Sequence, residues 1–265
     1  MSNIHEEALV KVTDFADKLG LNILYSGERD AMLFNTVNVN RPGLQLAGFF
    51  DYFASNRIQV FGNVEMTYIS LKTSVEKEEI FEKLFSYSNI PCIILSRNLE
   101  APKEMLEKAR QYKIPVFSSD KVTTSLMNEL IMYLNELLAP YMTMHAGLLD
   151  VYGTGVLICG KSGIGKSETA LELIKRGHRL VADDAVIIKK INDQLIGTSP
   201  ELIRHFMEIR GIGIININSL YGIGSVVNEH SIDMEVVLET WDNTKEYDRI
   251  GLENYDENIL GITVP

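Results

Sequence analysis

Cysteine is scarce in this chain, positive charge is in deficit, and long apolar runs are missing. The two cysteines, Cys92 and Cys159, sit inside the apolar runs PCIIL and VLICG, which predicts buried thiols and offers no metal-ligand spacing. Lysine and arginine total 25 against 36 acidic residues, a net charge of −11. That excludes the basic field of a nucleic-acid binder, so any phosphate must be held by local donors. No apolar stretch reaches the roughly 18 residues of a membrane span. The opening MSNIHEEALVKV lacks a basic start followed by an apolar run, so no signal peptide is expected. The expected location is the cytoplasm, with neither membrane nor nucleic acid as partner.

What is present is ordinary for a globular protein: 265 residues, 46% hydrophobic and 23% charged, enough for one large domain or two average ones. No internal repeat stands out. To about residue 125, short β-rich apolar runs (20–26, 57–62, 90–96 and 113–119) alternate with polar amphipathic stretches (74–88 and 101–112). Pro102 suits a first helical turn, and Met105, Ala109 and Tyr112 repeat at helical spacing. This alternation predicts an α/β domain over 1–125 with an open, mostly parallel sheet. A helix that stops at Pro140 follows, apolar on more than one face, and 126–140 is read as a linker helix. From 141 to 265 the pattern turns strand-rich and forms a second domain. Strands are expected at 155–160 and 235–241, a helix over 167–177, and a strand over 178–190 broken by two acids.

The chemistry lies in GKSGIGKSETA, residues 160–170. Gly160, Gly165, Lys166 and Ser167 fit G-x-x-x-x-G-K-[ST], with an apolar strand before the loop and an amphipathic helix after it. Residues 160–167 (Gly160, Lys161, Ser162, Gly163, Ile164, Gly165, Lys166, Ser167) are therefore the candidate nucleotide loop. Glycines let successive N–H groups face the phosphates at the positive start of a helix. Lys166 adds a cation near the β and γ phosphates, and the Ser167 hydroxyl can ligate Mg²⁺. Asp183 and Asp184 end an apolar run, and adjacent acids on a strand alternate sides, dividing metal and acceptor duties between them. A carboxylate there favours transfer to a hydroxyl over hydrolysis. NTKEYD (243–248) has the wrong spacing for a guanine-specific motif, which counts against a GTPase. EIRGIGIININSLYGIG (208–224) places Glu208, Arg210 and two glycine pairs beside an apolar strand, so backbone can approach a ligand between a cation and an anion. A small-molecule kinase or carboxykinase and a non-catalytic nucleotide sensor both remain compatible with the loop.

Taken together, MHAGLLDVYGTGVLICGKSGIGKSETALELIKRGHRLVADD, then EIRGIGIIN, then DRIG, resemble the bacterial HPr kinase/phosphorylase family. The resemblance is specific over 141–265 and looser over the first half. It implies a P-loop kinase domain similar to that of phosphoenolpyruvate carboxykinases. It also implies a hexameric enzyme that uses ATP or pyrophosphate to phosphorylate a regulatory serine of the phosphocarrier HPr. The same enzyme would remove that phosphate by phosphorolysis, in control of carbon catabolite repression. It implies His145, Lys166, Asp184 and Arg249 as active-site residues, Ser167 and Glu208 as Mg²⁺ ligands, and Asp184 as the general base. Beyond the sequence given, the family pattern continues through a basic segment to a terminal helix.

Overall fold

The computed structural model describes residues 7–244 and 256–265. The chain divides into two compact units, one running to Leu138 and one from Ala139 to Pro265. The first contains, in order, β1 (Ala8–Lys11), α1 (Val12–Leu19), β2 (Asn22–Tyr25), β3 (Ala31–Phe34), β4 (Val39–Asn40), α2 (Gly43–Leu46) and β5 (Ile58–Phe61). There follow α3 (Asn63–Ser70), α4 (Ser74–Phe85), β6 (Ile93–Leu95), α5 (Lys103–Tyr112), β7 (Val116–Ser118) and α6 (Thr123–Leu137). Five strands form one sheet in the order β2-β7-β6-β5-β4, parallel except for β2. Each of the four apolar runs read as strands contributes one of them.

Three of those runs are largely apolar because β5, β6 and β7 are buried on both faces, whereas β2 at the sheet edge is largely exposed. Val60, Ile94 and Phe117 point to a cluster with Phe15 and Phe34. Their neighbours Phe61, Leu95 and Val116 point to another with Phe81, Phe85 and Met105. The stretch read as a linker helix lies largely in α6, whose Leu126, Leu130 and Leu134 are fully buried in the first of these clusters. The α4 start is set locally: Thr73 Oγ1 accepts from the Glu76 N–H at 3.3 Å, and Glu76 accepts from the Thr73 N–H at 2.8 Å. The β1–β3 ribbon carries no such local signal and was not expected from the sequence.

The second unit opens with β8 (Tyr141–Met144), β9 (Gly147–Val151), β10 (Thr154–Gly160), α7 (Lys166–Lys175), β11 (Arg179–Ala182), β12 (Val186–Ile191) and β13 (Gln194–Thr198). It continues with β14 (Phe206–Ile209), β15 (Gly213–Asn216), α8 (Ile217–Tyr221), β16 (Glu229–Ser231), β17 (Met234–Leu238), β18 (Glu257–Ile259) and β19 (Ile262–Val264). Two four-stranded sheets result, β11-β9-β10-β17 and β16-β13-β12-β8, with separate hairpins β14–β15 and β18–β19. The expected strand over 178–190 is two strands in different sheets. β9 pairs with β11 through Leu148 and Ala182, and β8 pairs with β12 through Met144 and Val186. One antiparallel ribbon therefore passes from sheet to sheet, bending at His145–Ala146 and at 183–185. Corners of this kind are where packed sheets exchange strands.

Asp150 on β9 anchors the opposite end of the ribbon. It is nearly fully buried, accepts from Arg179 Nε at 2.9 Å and from the Gly153 N–H at 2.7 Å, and has His230 Nε2 at 3.6 Å. Burial alone would raise its carboxyl pKa, but the Arg179 guanidinium and the Gly153 N–H reverse this and hold it below the ordinary value of 3.8. A depressed folded pKa stabilises above the unfolded value and loses that contribution as pH falls through the folded one. We expect Asp150→Asn to lose about 2 kcal/mol at pH 7. Urea melts should show the deficit narrowing below pH 4, and a pH-independent deficit would contradict the assignment.

Both cysteines are buried, and burial pushes the thiols up, that of Cys159 to about 12. Among the described residues no helix is long and apolar enough to cross a membrane.

Candidate active site

The loop between β10 and α7 turns on glycines with positive φ. Gly165 has φ +109° immediately before α7, and Gly163 has φ +84° with the Arg210 guanidinium 2.5 Å from where a Cβ would stand. A side chain at Gly163 would be strained and would displace Arg210. Gly160 closes β10, the carbonyl of Lys161 accepts from the Ile164 N–H at 3.2 Å, and Ser162, Gly163 and Gly165 line a cavity of about 150 Å³. Lys166, although charged, is buried. Its Nζ donates to the carbonyls of Gly160 at 3.0 Å and Lys161 at 3.4 Å, and it lies 3.3 Å from His145 Nε2.

His145 and the acid pair come from the two bends of the ribbon, and this juxtaposition has no counterpart in sequence spacing. An ammonium has only protons to give, so His145 Nε2 accepts from Lys166 and the ring proton sits on Nδ1. Nδ1 then donates to the Asp184 side-chain Oδ1 and backbone carbonyl, each at 2.9 Å. Lys166, His145 and Asp184 form one hydrogen-bonded row. Asp183 turns the other way: it is buried, and both its oxygens accept from Ser167 Oγ at 3.0 Å. Burial pushes its carboxyl up, opposed by the Ser167 hydroxyl and the Glu208 N–H.

The two carboxylates take different partners, and strand alternation is not the cause. β11 ends at Ala182, and Asp184 takes φ +68°, a left-handed conformation that aspartate tolerates better than most residues. The bend sends one carboxylate inward and leaves the other exposed. Glu208, on β14, and Arg210, just beyond it, line the same cavity as His145, Lys166, Ser167 and both aspartates. Glu168 also lines it and was not singled out from the sequence, since an acid in a first helical turn has an ordinary dipole explanation. Arg249 lies outside the described residues.

The donors suit magnesium. No three histidine, cysteine or acidic residues cluster as a metal cage among the described residues. Mg²⁺ does not need one, because it keeps waters and takes one or two carboxylates together with phosphate oxygens. Asp183 offers a carboxylate with spare acceptor capacity beside the Ser167 hydroxyl, and Glu208 shares the cavity.

Known proteins resemble both units. Residues 10–134 match the family described as HPr Serine kinase N terminus, and residues 136–265 match HPr Serine kinase C-terminal domain. The HPr kinase/phosphorylase of Alkaliphilus metalliredigens (strain QYMF) is 49% identical over 265 residues, which is 100% of this chain and 84% of that protein. That of Lachnoclostridium phytofermentans (strain ATCC 700394 / DSM 18823 / ISDg) is 52% identical over 225 residues, 84% of this chain and 72% of the relative. A solved structure, described as that of the Hpr(Ser) kinase/phosphatase from Coxiella burnetii, is 41% identical with a TM-score of 0.44, covering 47% of this chain and 82% of its own.

Proposed function

This chain belongs to the HPr kinase/phosphorylase family, and from that premise we propose that the cavity at the phosphate loop performs both directions of the family's reaction. The protein is an enzyme that phosphorylates a serine of the phosphocarrier HPr and removes that phosphate, in the service of carbon catabolite repression. ATP or pyrophosphate is the donor in one direction. In the other, inorganic phosphate attacks phosphoserine and pyrophosphate leaves.

The observation that carries this reading is the row from Lys166 through His145 to Asp184, which sets a loop cation and a carboxylate base at two ends of one imidazole. Residues 160–167 cradle the donor phosphates, and Lys166 exchanges its loop carbonyls for phosphate oxygens. Asp184 accepts the proton of the HPr serine as its oxygen bonds to phosphorus and the bond to the donor's leaving oxygen breaks. In reverse, an oxygen of inorganic phosphate bonds to phosphorus, the serine oxygen leaves, and Asp184 returns the proton. His145 orients the carboxylate for both steps. Ser167 and Glu208 would hold Mg²⁺, with Asp183 fixing the Ser167 hydroxyl; bound there, the ion would supply neutralisation of charge on the transferring phosphoryl group. Arg249 supplies the additional cation that a second anion, inorganic phosphate, requires beside phosphoserine.

The catalytic domain is 141–265, the assembly is a homo-oligomer of hexameric form, and the enzyme works in the cytoplasm. The test is incubation with labelled ATP, Mg²⁺ and HPr. Acid-stable phosphoserine on HPr is the expected product, whereas label on a small molecule, or nucleotide binding without transfer, would favour the carboxykinase-like or sensor alternatives.

A further inference from the structure

The β14–β15 hairpin turns its two faces to different surroundings. Met207 and Ile209 are buried and Ile215 packs against the same core, so strand alternation sends Phe206, Glu208 and Ile214 to the other face. Glu208 stands directly opposite Ile214 in the ladder. Ile214 is 74% exposed, Ile212 at the hairpin turn 73%, and Phe206 40%. Glu208 and Arg210, on this same hairpin, line the phosphate cavity. The cavity wall therefore continues outward as an apolar strip.

The residues lining the phosphate cavity do not include Phe206, Ile212 or Ile214, so the strip lies outside the phosphate site itself. A serine hydroxyl stands only two bonds from its Cα, so a serine that reaches Asp184 brings its neighbouring residues against the cavity rim. Apolar side chains bounded by charged ones are the usual composition of an interface centre. We propose that Phe206, Ile212 and Ile214 form the docking strip for the acceptor protein HPr and set the enzyme's affinity for it, leaving its affinity for the donor untouched. The proposal rests on HPr being the acceptor. Continuity with the cavity that the serine must enter favours the acceptor over a second copy of the chain as occupant.

Docking precedes chemistry in both directions, so the strip serves HPr and phosphoserine-HPr alike. In the double variant Ile212→Ser/Ile214→Ser, KM for both forms should rise about tenfold or more, with kcat within about twofold of wild type. ATP affinity by calorimetry and the melting temperature should not change, and Ile214→Val should behave as wild type. An unchanged KM for HPr would overturn the proposal. So would a matching loss of ATP affinity, since the hairpin would then act through the donor site. A change of oligomeric mass in sedimentation with KM intact would assign the strip to contacts between copies, which also overturns it. Failure of the wild-type protein to phosphorylate HPr is a separate result, seen before any variant is made, and would remove the functional reading itself.

Discussion

Replacing Lys166 by alanine lowers HPr phosphorylation more than about a hundredfold, whether ATP or pyrophosphate is supplied. The lysine is buried beside the loop carbonyls of Gly160 and Lys161, so its charge is held in place before any phosphate arrives. A preorganised cation in a partly enclosed site stabilises developing charge without reorganising at the moment of transfer. The two donors share their phosphates and differ in the rest, so a contact made only to phosphate is lost equally with both. Alanine also removes the donor to His145 Nε2, freeing the imidazole to change tautomer and weakening its hold on Asp184. Initial rates of phosphoserine formation with each donor are the measurement. Normal pyrophosphate-driven transfer in the variant would separate the two donor sites and defeat this reading.

Asp184→Asn should reduce kcat about a thousandfold in both directions while nucleotide affinity stays near wild type. Asparagine tolerates the left-handed backbone at this position, and its Oδ1 can still accept from His145 Nδ1, so geometry survives and only proton acceptance is lost. Alanine would be a poorer probe, because φ +68° costs it about 1 kcal/mol or more of backbone strain on top of the missing carboxylate. The corresponding change at Asp183 should act differently, through Ser167 and the proposed Mg²⁺ site, and show itself first in Mg²⁺-dependent nucleotide affinity. Calorimetry beside saturated rates distinguishes the two positions. Weakened nucleotide binding with a normal saturated rate in Asp184→Asn would make Asp184 a metal-site residue instead of the base.

The parts of this molecule that were legible in its sequence are those whose physics is local. GKSGIGKS declares itself because glycines, a cation and a hydroxyl must all stand within one turn of a helix start. Runs such as IPCIIL read as strands because a sheet covered on both faces needs no alternation. The relation of His145 to Asp184 could not be derived this way. It depends on β8 pairing with β12 and β9 with β11 across nearly forty residues, and MHAGLLDV carries no pattern that announces a bend. The acid pair was likewise legible as a pair but not as a turn, since the positive φ of Asp184 is imposed by the change of sheet. The glycines of 208–224 were legible as a close backbone approach but not as the β14–β15 hairpin, and the outward direction of Ile214 follows only from its register with Glu208.

The ribbon that changes sheets decides where the two bends meet. Its flanking rungs, Met144 with Val186 and Leu148 with Ala182, belong to stiff ladders, while the residues between them carry no rung of the ladder. Among those residues are His145 and Asp184, the histidine and the proposed base. The proposed chemistry thus lies where one sheet gives way to the other. The row that ties Lys166 to Asp184 through His145 therefore spans both bends of one ribbon, and its spacing is set by how the two sheets meet and not by either ladder alone.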